Sequence, residues 1–298
     1  MKHNAVFIVQ TNKQHLPWKG VIPNKFVKIT ALILALLLTV ASLFSQNKKN
    51  PEKNGTIQEL VLKGNFEVLL FQSDSEDLYI HAPASVTRSI KSDFKNGIYT
   101  ITNTHASGPR PKLYLVVAHL KRLKASGNVM IKTPTNLYIE KMNIELSDDA
   151  SASLYISSDD LSMDVSGSGE VQISGDIDTL RLKTEQNANV NFDIKSKKVY
   201  ATLKNESEVT FEGDIFHLYA ELNQYAILDN LNTTTGTCTI KSNDNSMAKI
   251  KAEDFFYLYA GGRSNITFKG NGKTEVMEKE KNATIKNESK LKSMNVKP

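Results

Sequence analysis

One short motif recurs through more than half of this chain and restricts the folds open to it. Val165-Ser166-Gly167-Ser168-Gly169-Glu170-Val171 is a Gly-rich tight turn between two apolar strand residues, and Gly is the residue that accepts positive φ without a Cβ clash. Degenerate copies follow it and precede it. The aliphatic residue that closes each copy falls at Val129, Leu154, Val171, Val190, Val209, Ile227, Met247, Ile266 and Ile285, roughly 17 to 20 residues apart after the first interval. The turns drift in composition, through Asp148-Asp149-Ala150, Gln186-Asn187-Ala188, Asn205-Glu206-Ser207, Asn223-Gln224-Tyr225, Asp244-Asn245-Ser246 and Gly262-Arg263-Ser264. Asn, Asp, Ser and Gly dominate them, as a turn that needs left-handed backbone or side-chain-to-backbone hydrogen bonds requires.

Alternating strands flank the turns. Before a turn come Leu161-x-Met163-x-Val165, Leu180-x-Leu182, Val199-x-Ala201-x-Leu203, Phe216-x-Leu218-x-Ala220 and Phe256-x-Leu258-x-Ala260; after it come Val171-x-Ile173, Val190-x-Phe192, Val209-x-Phe211 and Ile266-x-Phe268. Alternation sends one face of a strand inward and the other outward. A unit of about 19 residues with two such strands cannot bury its apolar face alone, whereas stacked units bury a continuous core and pair every strand with the units above and below. The expectation is therefore an all-β parallel β-solenoid over residues 120–287, built of roughly 19-residue two-strand coils, with the aliphatic and Phe positions above aligned in its core. Pro is absent from Thr135 through Lys297, as strands that need every ladder N–H demand. A two-sheet sandwich with turns at similar spacing is the competing architecture.

The N-terminal side is less regular. Short strands are read at Ile57 to Leu62, Phe66 to Gln72, Leu78 to His81, Ile98 to Asn103 and Leu113 to Ala118, with one or two helical turns over Ala84 to Lys91 and a hairpin at Asn96-Gly97. This makes residues 57–119 a short irregular β region before the repeats, and residues 288–298 a polar tail. Residues 46–56 form a polar linker. Ahead of it, Met1 to Pro51 lacks any acidic residue, and five lysines precede an uncharged apolar run from Ile29 to Phe44. Residues 1–45 thus read as a signal peptide, or as a signal anchor that stays attached to the membrane.

The leader also accounts for the basic balance. All 32 Asp and Glu lie beyond Pro51 and five of the 37 Lys and Arg lie in the leader, so the exported part carries 32 charges of each sign. No basic excess remains to serve as a nucleic-acid footprint. Cys238 is the only cysteine, which excludes an intramolecular disulfide and favours burial of the thiol in an oxidising compartment.

Catalytic and metal constellations are weak throughout. Asp148-Asp149 and Asp159-Asp160 fall at turns, and adjacent carboxylates on a strand point to opposite faces, so they read as solvated turn acids. Asn243-Asp244-Asn245-Ser246 offers oxygen ligands outside any calcium-loop spacing. His81, His105, His119 and His217 show no metal-ligand spacing, and no nucleophile elbow is present. No cofactor is expected, and catalytic and metal residues are both assigned as none.

At this point the residues resemble a known family. Tandem Gly-Ser-Gly turns, preceded by a β region with the strand Gly64-Asn65-Phe66-Glu67-Val68 and followed by Phe268-Lys269-Gly270-Asn271-Gly272, are similar to the bacterial putative auto-transporter adhesin head GIN domain. The resemblance implies an exported, adhesin-like, non-enzymatic β-solenoid at the envelope of a Gram-negative bacterium, in the periplasm, on the cell surface or secreted. Its partner would be a protein or glycan surface, with homo-oligomerisation as another outlet. A carbohydrate-active β-helix enzyme and a purely structural envelope component are the alternatives. The full Gly-Ser-Gly survives only at Ser166 to Gly169, and the family lends no catalytic residue.

Alternation supplies a candidate binding face. If Leu161, Leu180, Val199, Phe216 and Phe256 point inward, Ser162, Arg181, Tyr200, His217 and Tyr257 form one outward ladder. A second ladder then holds Asp164, Lys183, Thr202, Tyr219, Lys241 and Tyr259. Exposed Tyr rings provide contact area with a polar tip at low entropic cost, which selects Tyr200, His217, Tyr219, Tyr257 and Tyr259 as the candidate binding residues.

Overall fold

The structure is a computed structural model that describes residues 55–104 and 110–289. The predicted leader, almost all of the linker, His105 and the tail from residue 290 lie outside the described residues. Among the described residues, no helix is long and apolar enough to cross a membrane.

The first elements are β1 (Glu59–Gln72), β2 (Asp77–His81), the four-residue helix α1 (Ala84–Thr87), β3 (Ile90–Lys95), β4 (Ile98–Asn103) and β5 (Lys112–Val117). Then come β6 (Arg122–Lys132), β7 (Leu137–Tyr138), β8 (Lys141–Leu146), β9 (Ser151–Ser166), β10 (Glu170–Glu185), β11 (Asn189–Leu203), β12 (Glu208–Leu222) and β13 (Ile227–Ser242). The last are β14 (Met247–Lys251), β15 (Phe255–Ala260), β16 (Asn265–Lys269), β17 (Lys273–Lys279) and β18 (Thr284–Asn287). Parallel coils stack into a β-solenoid of about nine turns, as the repeat predicts.

Strands β9 to β13 each run 15 or 16 residues and bend round a corner while staying paired with both neighbours. In register, the inward residues are Ile131, Ala152, Val171, Val190, Val209, Leu228, Ala248, Ile266 and Ile285. Two positions along, Leu154, Ile173, Phe192 and Phe211 are buried in line, and the Phe192 and Phe211 rings stack with centroids 5.0 Å apart. Val171, Val190, Val209 and Ile266, with Ile173, Phe192, Phe211 and Phe268, are all in the core as expected.

The frame differs from the expected one at five positions. Ile227 and Met247 sit one residue before the inward position and face outward, where they pair with Glu208 and with Asn265. Leu154 lies two residues past the inward Ala152. Val129 pairs with Phe66 at the turn end of its coil, two residues before Ile131. Phe216 is exposed, and Leu218 takes its place beneath Val199.

A recurring device holds several of the turns. Asp148, Gln186, Asn205, Gln224 and Asp244 all have φ between 57° and 63°, stacked with Gly127, Gly167 and Gly262, also at positive φ. The backbone N–H in this slot donates to a side-chain oxygen of the next coil: Gly127 N to Asp148 Oδ2 (3.0 Å), Asn205 N to Gln224 Oε1 (3.1 Å), Gln224 N to Asp244 Oδ2 (3.2 Å) and Gly262 N to Glu280 Oε2 (2.8 Å). An oxygen-bearing turn residue therefore satisfies a donor that the ladder leaves free. Two residues on, beyond Val129 of the first of these coils, small residues occupy the inward stack: Ala150, Gly169, Ala188, Ser207, Ala226, Ser246, Ser264 and Ala283.

The region read as irregular is built into the same stack. β1 pairs in parallel with β6 over eleven rungs, from Glu59↔Arg122 to Leu69↔Lys132, and on its other side with β4 and β5. Phe66 and Val68 are fully buried. Antiparallel β3 and β2 finish this end, each pairing on one side only among the described residues. Asn96 (φ 53°) and Gly97 (φ 77°) make the predicted hairpin between β3 and β4, and the predicted helical segment is one turn followed by a strand. At the opposite end β17 is mostly exposed, charged, and interrupted by a register shift between its pairings with Leu258 and Tyr259.

Cys238 is fully buried, and its Sγ donates to the Lys251 carbonyl oxygen at 3.4 Å. Burial pushes its thiol pKa well above the usual range, and the thiolate is the reactive form. Native protein at pH 8 is therefore expected to resist iodoacetamide, with full alkylation after denaturation. Rapid native labelling seen by mass spectrometry would contradict the packing at this coil.

Candidate interaction surface

The sheet formed by the second halves of β9 to β13, with β15 and β17, presents three outward ladders. The first runs Asp160, Thr179, Lys198, His217, Thr237, Phe255, Lys273. The second runs Ser162, Arg181, Tyr200, Tyr219, Thr239, Tyr257, Glu275, and the third Asp164, Lys183, Thr202, Glu221, Lys241, Tyr259, Glu278. Tyr219 thus joins Tyr200 and Tyr257, while His217 moves to the neighbouring ladder. The exchange corrects the expected ladders. Its cause is the corner, where Ile215 is buried, Phe216 and His217 both face out, and Leu218 is buried again, so strict alternation breaks.

The structure still brings all five candidate residues onto one continuous patch. Tyr200 and Tyr219 are 40% and 38% exposed, with centroids 5.1 Å apart and planes within 10°. The His217 ring lies 6.3 Å from Tyr219. Tyr257 and Tyr259 are half-buried, and Lys241 Nζ stands 5.5 Å above the Tyr259 ring, within cation–π range. Two further rings enlarge the patch. Phe216 is 61% exposed and packs edge-on to His217 at 4.5 Å; Phe255 is 39% exposed and lies 6.1 Å from Tyr257. Phe255 was readable from the sequence, since an inward Phe256 sends its predecessor outward; Phe216 was readable by adding one 19-residue coil to Val199.

Beside the patch, where the strands turn the corner, lies a groove of about 700 Å³ lined by Asp176, Asp178, Asp214, Phe216, Gly236 and Asp254, among others. Lys197 Nζ holds Asp178 Oδ2 at 2.7 Å, and that contact raises the Lys197 pKa.

Two of the acids read as turn residues, Asp148 and Asp160, do structural work. Asp148 and Asp244 occupy the left-handed turn slot and accept from backbone N–H groups. Asp160 pairs with Arg181 on the adjacent rung, while Asp164 and Lys183 are rung neighbours, as expected. Among the described residues, no three His, Cys, Asp or Glu converge as metal ligands.

A parallel β-solenoid with stacked polar turns defines the class of this molecule, and the comparisons agree with that fold. Residues 57–191 match the family described as "Putative auto-transporter adhesin, head GIN domain", so the resemblance carried by the Gly-rich turns is borne out. The fold is similar to that of a putative adhesin from Parabacteroides distasonis ATCC 8503, with TM-score 0.60, 15% identity, and coverage of 78% of this chain and 93% of that one. It is also similar to a putative adhesin from Parabacteroides merdae ATCC 43184 (TM-score 0.55, 16% identity, 79% and 94% covered). A putative lipid binding protein from Parabacteroides distasonis ATCC 8503 is comparable (TM-score 0.55, 13% identity, 82% and 95% covered). These likenesses concern the fold. No curated protein matches the chain.

Proposed function

We propose that this chain is an exported, non-enzymatic, adhesin-like β-solenoid that binds a protein or glycan at the cell envelope through Tyr200, His217, Tyr219, Tyr257 and Tyr259. The observation that carries the reading is the exposed aromatic patch, with Tyr200 and Tyr219 stacked across neighbouring strands and Phe255 and Tyr257 nearly parallel along a third. Clustered exposed rings on a sheet serve recognition better than solubility. The match to an adhesin head domain supports export and surface binding; it ends at residue 191, before the first of these rings, so the patch is a feature of the later coils.

The test is the triple change Tyr219→Ser, Tyr257→Ser and Tyr259→Ser, with protein-coated beads incubated on cells. At about 1 kcal/mol per truncated aromatic contact, adherence should weaken about 100-fold with the fold intact by circular dichroism. Wild-type adherence together with unchanged sedimentation would remove both the binding and the self-association roles of this face.

A further inference from the structure

β13 crosses the aromatic sheet as a low strand between two tall ones. Its outward residues Thr237 and Thr239 are half-buried; His217 and Tyr219 flank them on β12, Phe255 and Tyr257 on β15. Tyr219 lays one face on Tyr200, which leaves its other face toward the Thr239 rung. Phe255 and Tyr257 keep their planes within 13° of each other along the far side. With strands spaced by about 4.8 Å, the two aromatic rows stand about 9–10 Å apart.

That separation selects a guest. A flat ring in contact with both rows fills only about 7 Å, at about 3.5 Å per contact. A puckered ring with apolar C–H faces is thicker and fits, and hydroxyls at its edge meet the threonine floor. The trough continues past Gly236, which lies so close to the Phe216 backbone and Asp254 that a Cβ there would crowd both, into the corner groove. Of the carboxylates there, Asp214 and Asp254 form no ion pair among the described residues, so they are available to accept hydroxyl hydrogen bonds. Carboxylates outnumber lysines in this groove, which disfavours an acidic guest.

We infer that the trough over β13 is a subsite for a neutral hexopyranosyl chain, with one sugar ring over Thr239 between Tyr219 and Tyr257 and the chain leading past Gly236 to the corner carboxylates. The inference rests on the surface-binding reading above and names its ligand class.

The experiment titrates the full chain with maltohexaose, cellohexaose, mannohexaose and, as the acidic counterpart, hexagalacturonate. At least one neutral hexasaccharide should bind with a dissociation constant of about 1 mM or below, and the acidic one at least about tenfold more weakly. Thr239→Trp fills the trough and should abolish binding, whereas Thr210→Trp on the other sheet should leave it unchanged. If Thr239→Trp does not fold, Tyr257→Ala carries the same expectation. Failure of all three neutral sugars, or wild-type binding by the folded trough variants, overturns the subsite. The outcomes separate from those of the adherence test. Lost adherence in the tyrosine variant without any neutral sugar bound overturns the subsite alone; sugar binding with retained adherence overturns the adhesive role alone.

Discussion

Gly169→Val should abolish cooperative folding, and Gly167→Val should come close to doing so, because a Cβ at either position would run into a backbone carbonyl of the coil beneath. Gly169 has ordinary φ, but a Cβ there would run into the Ala150 carbonyl oxygen of the coil beneath. Its neighbours in the inward stack are Ala150 and Ala188, so no room exists for a branched side chain and a backbone carbonyl cannot swing away without breaking the ladder. Gly167 has φ of 95° and lies over Asp148. Left-handed backbone costs a non-Gly residue about 1–3 kcal/mol, with a β-branched residue the worst case. Gly167→Asn carries the same Cβ contact with the Asp148 carbonyl but should be milder than Val, because Asn tolerates the left-handed backbone that Gln186 and Asn205 adopt in this slot near 60°. Urea melts of the variants settle the matter: equal stabilities for Gly169→Val and the parent, or for Gly167→Val and Gly167→Asn, would refute the turn geometry.

Phe211→Ala should cost about 3–5 kcal/mol, the usual range for truncating a buried aromatic. Phe211 is fully buried, stacks on Phe192 and sits against the only coil step where β12 and β13 shift register among the paired long strands described, at Thr210 and Glu212. The extra residue there brings Asn230 into the core, where its amide donates to Thr235 Oγ1 at 3.0 Å. A cavity beside that polar cluster cannot collapse cheaply, which places the expected loss toward the upper part of the range. Glu212, the exposed next residue, is the internal control. A thermal melt in which Phe211→Ala is no worse than Glu212→Ala would sink the register of the whole stack.

The solenoid was legible because its turns and its core repeat in the same phase. Where inward residues are branched or aromatic, as at Val171, Val190, Val209 and Ile266, the frame could be read without error. It slipped where the inward residue is small: Ala152 lost to Leu154, the next inward residue two positions on, and Ala248 to its outward neighbour Met247. A slip of one residue turns every side chain to the opposite face, so this is the error that a period-2 pattern invites. At Ile227 the inserted residue and a turn displaced by one, Gln224-Tyr225-Ala226, compound the same problem. The five candidate rings survived the slip because they lie on adjacent ladders of one sheet, while the trough between them was hidden: it depends on which residue of β13 stands opposite Tyr219, a fact of register.

The two ends of the coil stack have a consequence of their own. A parallel solenoid that stopped at a flat, apolar strand would offer each new copy a template, and length would then follow concentration. Here the first end closes on short antiparallel strands, and the last described strands are the charged β17, which bulges out of step with its partner, and the four-residue β18. Such edges refuse further strands. Growth by strand addition at these edges, which would make length depend on concentration, is therefore disfavoured.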